Sequence, residues 1–68
     1  MKYYVNKNAQ TNGDHEVHTS ECTRLPNSEN RIYLGSFSHC SYAVAEAKRN
    51  YYKQSNGCYY CSNPCHTS

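Results

Sequence analysis

Large aliphatic side chains are scarce in this sequence of 68 residues. Only seven residues are Val, Ile, Leu or Phe, whereas Tyr and Cys supply 13 of the hydrophobic residues. So low a share is typical of disorder when the net charge is high, but here the formal net charge is only +2. Chains below about 70 residues seldom fold on a core alone and commonly add disulfides, a metal or a partner subunit. The composition therefore predicts one small domain, residues 1–68, that needs such a cross-link.

The sequence also lacks an apolar stretch long enough to cross a membrane and a basic-then-apolar leader. We therefore expect a cytoplasmic, monomeric chain that does not associate with membranes. In a reducing compartment, cysteines serve as metal ligands or redox groups more often than as structural disulfides. The odd number of cysteines, five, agrees with this expectation, because a complete disulfide framework would leave one thiol over.

Three segments have the composition of β-strands, at residues 3–6, 15–18 and 31–34, where tyrosine and β-branched residues are concentrated. Between the first two, Asn12-Gly13 is a strong turn signal. A helix is predicted at residues 39–53, with Ser38 as its N-cap. Its apolar stripe consists of Cys40, Ala43, Val44, Ala47 and Tyr51. The fold class predicted is α+β, a small antiparallel three-stranded sheet packed on one helix.

Two short pairs of potential ligands stand at the ends of these elements. His18 and Cys22 are separated by three residues, and Cys58 and Cys61 by two. A Cys-x2-Cys turn brings two sulfurs to one tetrahedral ion, and a His-x3-Cys pair can reach the same ion. One structural Zn²⁺ ion would then join the end of the hairpin to the C-terminal Cys-x2-Cys knuckle.

The order of these pairs, with Gly57 directly before Cys58, resembles that of small bacterial zinc-binding modules with a His-x3-Cys…Cys-x2-Cys pattern. Their plan is similar to the N-terminal metal-binding domain of Ada-type methylphosphotriester repair proteins. The resemblance implies that the zinc ligands are His18, Cys22, Cys58 and Cys61. In the repair domain the first ligand is a methyl-accepting cysteine. His18 stands there in this chain, which argues against self-methylating repair.

The residues by themselves leave the ligand set open. Cys65 lies four positions beyond Cys61 and is an alternative to His18 as the fourth ligand. Three further groups are weaker alternatives, namely His15, Cys40 and His66. The sequence also leaves open whether a second metal ion binds or whether a Cys40–Cys65 disulfide forms.

No catalytic arrangement is recognisable, because the five carboxylates form no acid and base pair and a site with four protein ligands is closed and structural. We therefore predict a recognition module, not an enzyme, with nucleic acid or a protein as partner.

The candidate nucleic-acid-binding residues are Tyr59, Tyr60, Lys48 and Arg49. An alternative reading of the tyrosine pairs is that one member of each fills the core. The alternative function is thiol-based redox or metal handling, with a reversible Cys58–Cys61 disulfide.

Overall fold

A mixed four-stranded sheet and one helix make up the computed structural model, which describes residues 1–67. The strands are β1 (Lys2–Asn6), β2 (His15–Thr19), β3 (Arg31–Ser36) and β4 (Ser55–Gly57), and the helix is α1 (Cys40–Asn50). Short 3-10 turns lie at Ser28–Asn30 and Asn63–Cys65. The strand order across the sheet is β3-β1-β2-β4. The α+β class is confirmed.

The predicted hairpin is confirmed, since β1 and β2 pair antiparallel with Val5 opposite Val17. The loop between them turns at Asn12-Gly13. Gly13 has a φ of 93°, a region that glycine adopts without strain, and the Asp14 N–H donates to Asn12 Oδ1 at 2.9 Å. β3 pairs antiparallel with the other edge of β1.

The prediction of a three-stranded antiparallel sheet is wrong, because β4 pairs parallel with β2 as a fourth strand. Residues Ser55–Gly57 carry no large apolar side chain and resemble a helix stop in sequence. Backbone hydrogen bonds hold them instead. The His15 N–H donates to the Gln54 carbonyl at 2.9 Å, and the Cys58 N–H donates to the Val17 carbonyl at 3.0 Å.

The helix is shorter than predicted at both ends. Its N-cap is His39, whose side chain accepts from the Ser41 N–H, so the assignment of Ser38 is wrong. Its last helical residue is Asn50. Tyr51 therefore leaves the predicted stripe and is exposed. The rest of the stripe is buried as predicted, at Cys40, Ala43, Val44 and Ala47.

A thin apolar layer between sheet and helix forms the core. Its buried members are Tyr3, Val5, Val17, Leu34, Cys40, Ala43, Val44 and Ala47. Ile32, Phe37, Tyr52 and Cys65 are partly buried against them. Because Ala43 and Ala47 are small, the helix can pack close to the sheet. Few large side chains are then needed to fill the space between them. Within residues 1–67, no helix has the length and apolar character to span a membrane.

Candidate metal centre

The parallel pairing of β2 with β4 positions the first two groups of the site. Val17 lies opposite Gly57 in the parallel register, so the residues that follow them, His18 and Cys58, lie at the same end of the sheet. Cys22 comes back to this end through a turn in which its N–H donates to the Thr19 carbonyl at 3.2 Å. The strand that sequence reasoning missed is therefore the element that brings the two ends of the chain together.

Four potential ligand atoms converge here, from His18, Cys22, Cys58 and Cys61, all within 4.8 Å of one another. Cys22 Sγ lies 3.9 Å from Cys58 Sγ, and Cys61 Sγ lies 4.0 Å from His18 Nδ1. Two sulfurs bound to one tetrahedral zinc ion are about 3.8 Å apart, and a sulfur and an imidazole nitrogen about 3.6 Å apart. These two spacings match those around a tetrahedral ion to within a few tenths of an ångström.

Backbone amides point at the sulfurs, as they do around metal-bound thiolates. Within the knuckle, the backbone N–H groups of Tyr60 and Cys61 partly offset the effect of burial on the pKa of Cys58. The Thr19 N–H donates to Cys61 Sγ at 3.4 Å, and the Arg24 N–H donates to Cys22 Sγ at 3.4 Å. These donors stabilise negative charge on all three sulfurs.

His18 is 1% exposed, and burial lowers the pKa of its imidazole to about 4. The ring is therefore neutral near pH 7, which is the form that binds metals. Its Nε2 atom is buried and makes no hydrogen bond within residues 1–67, but Glu16 Oε1 lies 3.5 Å away. Because the ring is neutral, this contact is not an ion pair. A proton on Nε2, on the side of this carboxylate, would leave the Nδ1 lone pair on the side of Cys61 Sγ, as in carboxylate–histidine–metal triads.

Burial and contacts among the three thiols shift their pKa values in different directions. Burial and the hydrogen bond to Cys61 raise the pKa of Cys22 to about 12, and burial also raises the pKa of Cys58. Burial acts in the same direction on Cys61, but hydrogen bonds led by the Thr19 N–H outweigh it and lower that pKa. Three thiolates so close together need a cation, since like charges at one site disfavour ionisation. A bound divalent ion would supply that charge.

The remaining candidate ligands are engaged elsewhere. Cys65 is joined to Cys40 by a disulfide, so neither sulfur belongs to the four-residue group. His15 stacks on Tyr52 with ring centroids 3.7 Å apart, and its Nδ1–H donates to the Asn6 carbonyl. The Nδ1–H of His66 donates to the Gly57 carbonyl at 3.0 Å.

The candidate nucleic-acid-binding residues lie on two different elements. Tyr59 and Tyr60 are 55% and 63% exposed, with their rings edge to face at 5.3 Å. The core-filling alternative therefore fails for this pair, although it holds for Tyr3. Lys48 and Arg49 are exposed in the last turn of α1, and Arg49 is paired with Glu46 at 2.6 Å.

Two residues at this end of the fold escaped sequence reasoning. Glu16 lies two positions before His18 in β2, so strand alternation places both on one face, a signal that could have been used. The Arg24 guanidinium lies 3.8 Å from the centroid of the Tyr60 ring, a contact that no sequence pattern indicates.

The donor set, one imidazole and three sulfurs, could hold a metal ion such as Zn²⁺. Together the four groups would supply all four ligands of a tetrahedral ion. No family model, curated protein or solved structure matches this chain. The functional feature that the structure offers is therefore the convergence of these Cys and His groups, which could hold a metal ion.

Proposed function

We propose that this chain is a small recognition module whose fold is closed by one structural Zn²⁺ ion bound to His18, Cys22, Cys58 and Cys61. The observation that carries the proposal is the convergence of these four ligand atoms within 4.8 Å from distant parts of the chain. Soft thiolates with one imidazole are a donor set that zinc prefers. The resemblance to small bacterial His-x3-Cys…Cys-x2-Cys modules supports the same assignment.

The identity of the fourth ligand has a direct test in two single substitutions. His18→Ala is expected to abolish stoichiometric zinc binding at micromolar protein, because it removes the only nitrogen ligand of the proposed set. Cys65→Ser is expected to retain one zinc per chain, because Cys65 is engaged with Cys40. Native mass spectrometry of both variants gives the stoichiometry. Zinc retained by His18→Ala but lost from Cys65→Ser would show instead that the site is a four-sulfur one.

For the partner, we favour single-stranded nucleic acid over a protein. Two exposed tyrosine rings, with the Arg24 cation on one of them, offer faces on which bases stack. Because Tyr59 and Tyr60 lie in the knuckle between Cys58 and Cys61, the metal would hold this platform rigid. The pairing of Arg49 with Glu46 weakens the case for Arg49 as a phosphate contact.

Tyr60→Ala is expected to weaken binding to a short single-stranded oligonucleotide about tenfold, since one base–aromatic stack is worth about 1–3 kcal/mol. The matched control is Tyr42→Ala, which removes a tyrosine that is 59% exposed on α1. Fluorescence anisotropy at low salt measures both affinities, and binding should weaken as salt is raised. Equal effects of the two substitutions, or no binding at low salt, would refute a role for the knuckle in nucleic-acid binding.

The alternative function, thiol-based redox or metal handling at Cys58 and Cys61, makes a different prediction from the closed site. A redox pair oxidises reversibly near the cytosolic potential, whereas zinc-bound thiolates resist oxidation.

The proposed cytoplasmic location has to accommodate the Cys40–Cys65 disulfide. In reducing compartments of mesophiles such bonds are usually transient, catalytic or redox-sensing.

A further inference from the structure

The Cys40–Cys65 disulfide lies outside the proposed metal site and joins the start of α1 to the C-terminal 3-10 turn. Cys40 is the first residue of α1 and is 5% exposed, within the core. Cys65 is partly exposed. Cys65 is therefore the more accessible of the two residues to a reagent, whereas Cys40 is shielded by the core.

A cavity of about 290 Å³ adjoins the exposed side of this bond. It is lined by His39, Ser41, Val44, Ala45, Lys48, Pro64 and Cys65. Cys40 does not line it, so a thiol in the cavity meets Cys65. The only Lys or Arg side chain in its wall is Lys48, and no carboxylate from residues 1–67 lines it.

The start of the helix favours departure of Cys40 as a thiolate. Backbone N–H groups and the positive end of the helix dipole stabilise negative charge at this position and oppose the effect of burial on the Cys40 thiolate. His39 fixes the first turn around the sulfur, since its Nδ1 accepts from the Ser41 N–H at 3.0 Å and lies 3.8 Å from Cys40 Sγ. In thiol–disulfide exchange the sulfur with the more stable thiolate leaves more readily, and here that sulfur is Cys40 Sγ.

We propose that the Cys40–Cys65 disulfide is a thiol-exchange site, and that its substrate is a small thiol with a negatively charged group, bound in the cavity beside Lys48. The thiolate of the small molecule attacks Cys65 Sγ, and a new S–S bond forms between them. The Cys65–Cys40 bond breaks, and its electron pair leaves on Cys40 Sγ as a thiolate. Attack by Cys40 on the mixed disulfide reverses the step, so that no external oxidant or reductant is needed.

Three small thiols of similar size test the site on the native, full-length chain. They are 3-mercaptopropionate, which is anionic, 2-mercaptoethanol, which is neutral, and cysteamine, which is cationic. Each rate of disulfide opening is divided by the rate of the same thiol with a small reference disulfide, which removes differences in nucleophilicity. Acid quenching, alkylation and peptide mapping locate the adduct. Lys48→Gln removes the cavity charge, and Lys53→Gln is the matched control because Lys53 does not line the cavity.

We expect the adduct on Cys65 and the alkyl group on Cys40. The normalised rate should be about three- to fivefold higher for the anionic than for the neutral thiol, the size expected of one exposed charge at low salt. Lys48→Gln should remove this preference and Lys53→Gln should retain it. Either an adduct on Cys40 or an intact disulfide with adducts only on other cysteines would overturn the proposal. So would a disulfide that opens only as fast as the whole protein unfolds, or a preference for the anionic thiol that Lys48→Gln leaves unchanged.

Discussion

Cys58→Ser is expected to abolish stoichiometric zinc binding and to leave the chain largely unfolded. Cys58 is fully buried, and its sulfur lies 3.9 Å from that of Cys22 at the centre of the proposed site. A serine hydroxyl is not among the groups that bind structural zinc. In zinc-finger peptides the metal contributes about 10–16 kcal/mol of apparent binding free energy, more than the whole stability of a domain of this size, which is at most about 10 kcal/mol. Circular dichroism and native mass spectrometry measure the two losses.

The contribution of the metal can be separated from that of simple packing at Cys58. If the metal accounts for the loss, a chelator added to Cys58→Ser causes no further unfolding, and the variant resembles the chelated native chain. If Cys58 matters only as a buried side chain, the native chain stays folded in chelator while the variant does not. That second outcome would contradict the proposed role of the sulfur.

Gly57→Ala is expected to destabilise the zinc-loaded protein by about 2–4 kcal/mol, at or above the usual cost of overpacking. A Cβ atom at position 57 would lie 2.7 Å from Cys65 Cβ, 2.8 Å from the Cys65 carbonyl carbon and 2.8 Å from the Ser62 carbonyl oxygen. Two of these atoms belong to the backbone, which cannot move aside as a flexible side chain would. Relief of the clash would displace β4 and the knuckle. Urea unfolding of the zinc-loaded protein measures the loss.

Gly13→Ala is the matched control for this substitution. Gly13 has a φ of 93°, so alanine there is strained, but its Cβ would meet only the end of the Gln54 side chain, at 3.1 Å. The expected loss is about 1–2 kcal/mol, from backbone conformation. A loss at Gly57 no larger than that at Gly13 would show that β4 and the knuckle are not packed as described.

The elements that sequence reasoning found are those with a local signal. Val5 and Val17 alternate with polar neighbours around an Asn-Gly turn, and Ala43 and Ala47 recur at helical spacing. The fourth strand has no such signal, because Ser55–Gly57 is polar throughout and is held by backbone hydrogen bonds to β2. Its pairing depends on tertiary contacts that hydrophobic periodicity does not encode.

The resemblance to small zinc-binding modules implied the proposed ligands, but the sequence did not reveal their geometry. The spacing of His18 and Cys58 along the chain does not reveal that they emerge side by side from parallel strands. The sequence left open whether Cys40 pairs with Cys65, because this pairing depends on how the C-terminal 3-10 turn packs against the start of α1. The exposure of both Tyr59 and Tyr60 follows from their place in a tight knuckle, where neither side chain reaches the core.

The most direct test is a zinc titration of the metal-free chain, with its disulfide intact, followed by two-dimensional ¹H–¹⁵N NMR. We predict that the metal-free spectrum has the narrow amide dispersion of a largely unfolded chain. Dispersed peaks should grow in proportion to added zinc and stop changing at one equivalent per chain. A dispersed spectrum without metal that zinc leaves unchanged would contradict the account.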